Sequence, residues 1–135
     1  MGPVKNLRPI VNRPVRFRNK LDTRSKIVTR AEARQHLGDK PARWVSGHFD
    51  PLLAEHVHRL RDFSANGHAL VVEITNSAKP LLSQRARAEL VAALSAVDYV
   101  ILSDGPSTSE PINDALITAH FIDHVRSRHQ AEAKP

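Results

Sequence analysis

Residues 69 to 75 read Ala-Leu-Val-Val-Glu-Ile-Thr, an almost unbroken apolar run rich in β-branched side chains. A strand with one wet face alternates polar with apolar residues. A run like this one suits a strand covered on both faces, which is the condition of strands in a parallel sheet between helices. The flanking sequence supplies the rest of such a unit. Arg43 to Ser46 reads as a first strand, and Leu53, Val57 and Leu60 recur at helical spacing until Asn66-Gly67 closes that helix. Leu82 to Ser95 reads as a second helix with Ala86, Leu90, Ala93 and Leu94 on one side, and Val97 to Leu102 as a third strand. Upstream, Thr29 to Leu37 is helix-like: Thr29 and Glu32 have capping-box spacing, and Gly38 can end the helix. Strands alternating with helices predict an α/β fold, a three-layer α/β/α Rossmann-like parallel sheet with right-handed crossovers and helices on both faces.

Asp104 to Ser109 has turn chemistry. Glu110 to about His120 can then be helical, started by Ser107 or Ser109 with Pro111 in its first turn. Phe121 to Val125 reads either as a fourth short strand or as the end of that helix. The expected organisation is a basic arm over 1–24, one domain over 25–126, and a polar tail over 127–135. The arm follows from charge and proline. Residues 1 to 43 carry 12 of the 20 Lys and Arg against Asp22, Glu32 and Asp39, a net of +9, whereas residues 44 to 135 net −3. Pro3, Pro9 and Pro14 among these arginines predict an extended or disordered segment, and they spoil the amphipathic helix that a mitochondrial presequence needs.

Composition excludes several classes. No apolar run approaches the ~20 residues that span a bilayer, and the N-terminus lacks the apolar core of a signal peptide. With no cysteine among 135 residues there is no disulfide framework and no thiolate metal site, and the expectation is a cytoplasmic protein without a membrane partner. His120 and His124 are spaced to share a helix face near Asp123, but a pair without a firm third ligand does not make a metal site, so none is expected. Aromatics are only 4% and do not interleave with the basic arm, which argues against a nucleic-acid partner. A homo-oligomer is left open.

The chemistry-bearing segment is Gly47-His-Phe-Asp-Pro-Leu-Leu-Ala-Glu-His56, a strand end turning into a helix. Glycine lets the backbone approach a ligand, and unpaired N–H groups at a helix start receive an anion. A phosphate or nucleotide site is therefore the first hypothesis. In the same turn Asp50 is expected to cap the helix. The carboxyl ends of the strands would gather the Gly47–Asp50 turn, the Thr75–Lys79 loop and the Ser103–Ser109 loop, where ligands of such sheets bind.

This segment resembles the Gly-x-Phe-Asp-x-x-His-x-Gly-His signature of the cytidylyltransferase-like nucleotidyltransferases, nearest to the nucleotidyltransferase domain of ADP-heptose synthases. Gly47, Phe49, Asp50 and His56 fall on pattern; Leu53 and Glu55 replace the first histidine and the glycine of the His-x-Gly-His core. Ser25-Lys26-Ile27-Val28, the stretch from Arg85 to Leu94, and Val97-Asp98-Tyr99-Val100 are also similar, and relative to that family the part after the third strand is short. The resemblance implies a nucleotidyltransferase fold and transfer from a nucleoside triphosphate to a small phosphorylated sugar or alcohol. It implies phosphate contacts from Gly47, His48, Phe49, Asp50, Lys79 and Arg85, a catalytic His56, and Mg²⁺ if the chain is active. The replacements at Leu53 and Glu55 remove a donor and bring a carboxylate toward an anion site, so impaired chemistry is expected. A catalytically inactive nucleotide-binding or assembly module is the alternative, and a nucleic-acid-associated protein using its basic arm is a further one. Arg85 has a second reading as the partner of Glu89 one turn on.

Overall fold

The computed structural model of the chain describes residues 21–133; residues 1–20 of the expected 1–24 arm lie outside them, and Thr23 and Arg24 of that arm are in a 3-10 turn. Thr23–Lys26 form a single 3-10 turn, whose Arg24 N–H donates to the Asp22 carboxylate at 3.0 Å. Helix α1 (Arg30–Leu37) follows, then strand β1 (Ala42–Gly47), helix α2 (Ala54–Phe63), strand β2 (Ala69–Ile74) and helix α3 (Gln84–Ala92). Strand β3 (Tyr99–Leu102), strand β4 (Glu110–Pro111) and helix α4 (Asp114–Ala133) complete the described chain. The capping box of α1 is present: Thr29 Oγ1 accepts from the Glu32 N–H, and the Glu32 side chain accepts from the Thr29 N–H. Gly38, at φ 56°, turns the chain out of that helix in a conformation that favours glycine.

The four strands are parallel in the order β3-β2-β1-β4. Val72 pairs with Val45 on one side and Val100 on the other, and Ile27 adds a single parallel bridge to Val100. The steps from β1 to β2 and from β2 to β3 run the same way across the sheet. Right-handed crossovers therefore put α2 and α3 on one face. There Val45, Leu70, Val72, Ile74 and Val100 pack with Leu60, Ala88, Val91 and Ala92. The opposite face is covered by α1, through Ala33 against Val71 and Ile101, with Trp44 and Tyr99 alongside. Every residue of β2 is buried, which is why its sequence lacks alternation.

The expected α/β/α architecture is the observed one, with local corrections. Helix α3 starts at Gln84 because the Ser83 hydroxyl caps it on the Ala86 N–H. Its buried residues are Arg87, Ala88, Val91 and Ala92, so its inner face is rotated from the expected one and Leu90 is 46% exposed.

The segment after β3 differs more. Glu110–Pro111 pair with Val45–Ser46 as the edge strand β4, a place where proline's missing N–H costs no ladder bond. The helix begins only at Asp114, with Asn113 Oδ1 accepting from the Leu116 N–H at 3.3 Å. It runs through Phe121–Val125 to Ala133, so those residues form no strand, and residues 127–133 of the expected polar tail are helical. Ser107 and Ser109 cap nothing, because both hydroxyls donate to the buried Glu73 carboxylate, at 2.7 and 2.9 Å. No helix among the described residues is long and apolar enough to cross a membrane.

Candidate functional site

Strand order locates the site. From β1 the chain adds strands in one direction, then returns with β4 on the opposite side of β1, so the crevice beyond β1 and β4 is a topological switch point. A cavity of about 670 Å³ opens there, with Gly47, His48, Asp50, Thr75, Lys79 and Asp114 on its wall.

The turn that leaves β1 is tightly shaped. A Cβ on Gly47 would lie 2.5 Å from Ile112 Cγ2 and 2.8 Å from Phe49 Cε2, so no side chain fits there. Phe49 holds φ 50°, unusual for a residue with a Cβ, and is wholly buried with its ring 5.0 Å from the His56 ring. This conformation turns the amides of His48 and Phe49 toward one point. The Asp114 carboxylate sits there. Its Oδ2 accepts from the His48 N–H at 2.7 Å, and its Oδ1 accepts from the Phe49 N–H at 3.2 Å and stands 2.9 Å from His56 Nε2. The Leu53 N–H donates to His56 Nδ1 at 3.0 Å. An amide can only donate, so Nδ1 carries the lone pair and Nε2–H is the donor aimed at Asp114. Burial alone would raise the Asp114 carboxyl, but His56 and the two amides outweigh it and hold the group below its ordinary value. The turn is thus a three-donor anion receptor with a carboxylate in it.

Buried Arg87 braces the receptor from behind. Its guanidinium donates to the carbonyls of His48 (2.8 Å), Thr75 (2.7 Å) and Leu82 (3.1 Å) and to Asn76 Oδ1 (2.9 Å). It therefore ties together the loops after β1 and β2 and the entry to α3. Gln84 does similar work further along the edge, donating to the carbonyls of Ile74 and Ser103 at 2.9 and 2.7 Å. His48 Nδ1 lies 2.7 Å from Thr75 Oγ1, and the two residues form the rim between the main cavity and a second one of about 470 Å³ under the Ser103–Ser107 loop. The three expected loops thus meet the edge in two adjoining cavities.

The predicted residues divide. Gly47, His48, Asp50 and Lys79 line the main cavity, whereas Phe49 and His56 are buried behind it. Arg85 is absent from it: its Nε donates to Glu89 across one exposed helical turn at 3.1 Å. Asp50 does not cap α2, because Pro51, Leu52 and Leu53 extend the turn before the helix starts at Ala54. Its two oxygens instead accept from the N–H groups of Leu81 and Leu82, at 2.7 and 3.0 Å, and pin the β2–α3 loop. Leu53 packs against the core. Glu55 points away from the receptor, to Arg59 at 2.8 Å and His120 at 3.1 Å, so its charge does not oppose an anion at the turn.

Two central residues escaped the sequence reading. Asp114 reads as an ordinary helix-start acid, and its partners lie 58 to 66 positions away. Arg87 shares the buried face of α3 with Ala88, Val91 and Ala92, whereas the apolar spacing had pointed to a face with Ala86, Leu90, Ala93 and Leu94.

The wall's two carboxylates, Asp50 and Asp114, each have both oxygens engaged by protein donors, and no cluster of three potential metal ligands occurs among the described residues. The residues present therefore do not fit a protein-held Mg²⁺.

Fold and turn together define a Rossmann-like α/β protein with an anion receptor at the switch point of its sheet. No protein-family model matches the chain. It is 33% identical to bifunctional protein HldE of Citrifermentans bemidjiense over 123 residues, covering 80% of this chain and 25% of that protein. It is 39% identical to FAD synthase of Halomicrobium mukohataei over 74 residues, covering 50% of this chain and 52% of that protein. The chain thus spans about a quarter of the first relative and about half of the second.

Proposed function

We propose that the chain binds a nucleoside triphosphate at the β1/β4 crevice and belongs functionally with the cytidylyltransferase-like nucleotidyltransferases. In this reading its chemistry is attenuated transfer of a nucleotidyl group to a small phosphorylated sugar or alcohol. The observation that supports it is the receptor itself: two amides and His56 Nε2–H converge on one anionic group. A phosphate oxygen makes the same demand on donors as a carboxylate oxygen. In the reaction an acceptor oxygen attacks the α-phosphorus, the bond to the bridging oxygen breaks, and pyrophosphate leaves with the electron pair. The contribution of this chain is positioning and charge: the receptor orients a phosphate, and Lys79 on the wall offers a cation. Mg²⁺ would arrive as the counter-ion of the nucleotide phosphates.

Attenuation rests on Leu53. Its side chain packs against the core and offers no donor, and losing one preorganised donor costs a factor of about a hundred to a thousand in rate. A second reading, an inactive nucleotide-binding module, is favoured by the same residue. Calorimetric titration with CTP and ATP in Mg²⁺, followed by a pyrophosphate-release assay over a panel of sugar and alcohol phosphates, tests both. Binding that selects one base, with release of pyrophosphate, is the expected result. Binding without release leaves the module reading. Failure of every nucleotide to bind at millimolar concentration refutes both.

A further inference from the structure

We propose that Asp114 is an internal competitor for the phosphate subsite, so that the described conformation is a self-blocked state opened by withdrawal of the segment from Glu110 to Ile117. This inference rests on the nucleotide-site reading of the receptor. The carboxylate takes all three converging donors, at 2.7, 3.2 and 2.9 Å, and leaves none for an external anion. A phosphate entering the turn has to displace it.

The segment that carries Asp114 is built to be displaced. Strand β4 is two residues long and sits at the sheet edge, where Pro111 contributes no N–H. Beyond this pairing, the hold on the body consists of the Ile112 N–H on the Ser46 carbonyl at 2.9 Å, the buried side chains of Ile112 and Ile117, Asp114 itself, and two exposed ion pairs, Arg43–Glu110 and Glu55–His120, both at 3.1 Å. From Thr118 to Glu132 no residue of α4 is buried, so Ile112 and Ile117 are the fully covered apolar side chains that withdrawal exposes. Elements with so few buried contacts open at low free energy. Asn113, at φ 51°, is the joint between β4 and α4, in a conformation that asparagine adopts more readily than most residues. The body is shaped to the closed state: a Cβ on Gly47 would lie 2.5 Å from Ile112 Cγ2 and 3.0 Å from Asp114 Oδ2. The plug therefore has a seat, an anchor and a hinge.

The probe is inorganic pyrophosphate, which tests the subsite without a nucleoside. Its dissociation constant is measured by calorimetry for the unsubstituted chain and for Asp114→Ala. A ligand that binds only an open state is weakened by the fraction open, so removing the plug should tighten binding about ten- to a hundredfold. Unchanged or weaker binding by a variant whose circular dichroism matches the parent overturns the proposal. Should Asp114→Ala fail to fold, Asp114→Asn keeps the volume and removes the charge, and the same comparison applies. In the unsubstituted chain, saturating pyrophosphate should move the amide resonances of His48 and Phe49 together with those of residues 110–117. Movement of the first pair alone overturns withdrawal of the segment. A parallel titration with CTP and ATP separates the two readings. Tighter pyrophosphate binding with no preference for any nucleoside sustains the plug and sinks the nucleotide site. Nucleotide affinity that is equal in parent and variants sustains the nucleotide site and sinks the plug.

Discussion

Replacing Arg87 by methionine removes the cation that ties the sheet edge together while keeping nearly the same volume, so the cavity term is small. Arg87 is 1% exposed and donates to four acceptors on three segments, none of them a carboxylate. Hydrogen bonds from a charged donor contribute about 1.5–3 kcal/mol each, and acceptors left dry cost about 1–3 kcal/mol. Two corrections reduce the total. His48, Thr75 and Asn76 border the cavities, so water can reach part of the orphaned acceptors. Burying a guanidinium itself costs several kcal/mol, which the variant no longer bears. The net expectation is a loss of about 3 kcal/mol, or roughly 12 °C in Tm for a domain near 110 residues. Urea unfolding followed by circular dichroism measures it, with the m-value checking that both proteins unfold in one cooperative step. Arg87→Lys should recover less than half the loss, because one ammonium cannot span a guanidinium's set of acceptors. A loss below about 0.5 kcal/mol for Arg87→Met at constant m would refute the brace and mean that water satisfies those carbonyls equally well.

Further expectations follow from the same contacts. Gly47→Ala places a methyl against Ile112 and Phe49 and should cost about 1–3 kcal/mol in chemical denaturation, and a neutral result would show that β4 gives way freely. Glu73 lies below its ordinary value of 4.5: burial raises it, but donation from Ser107, Arg30 and Ser109 more than offsets that. Asp114 likewise lies below 3.8. Depressed folded values mean that the unfolded chain takes up protons first on acidification. The stability these groups contribute is therefore complete above their ordinary values and is lost as pH falls from there through the folded ones. The urea midpoint should drop as pH falls below about 5, and Glu73→Gln should flatten part of that drop; an unaltered slope would count against the Glu73 network. Leu53→His with Glu55→Gly should cost about 1–3 kcal/mol of stability, since Leu53 packs on the core and Glu55 pairs with Arg59 and His120. While Asp114 stays in the turn, that double variant should bind pyrophosphate no better than the parent. A gain of tenfold or more would mean that the two replacements, rather than the plug, close the site.

Local order in this chain was legible before any coordinates, because it rests on contacts between near neighbours. The doubly buried strand over 69–74 declares itself by lacking alternation, the Thr29–Glu32 capping box by its spacing, and the turn after Ser46 by Gly47 and the residues that follow. Tertiary structure decided which side chains that turn would meet. Arg85 and Arg87 differ by two positions, close to opposite sides of a helix, and the packing of α3 sent one to Glu89 in solvent and the other under the sheet edge. The crossing of β4 to the far side of β1 brought Asp114 to amides 65 and 66 positions away. A converging set of donors is built by strand order and burial. Both are properties of the whole fold, so the occupant of the turn could not be read from the residues that form it.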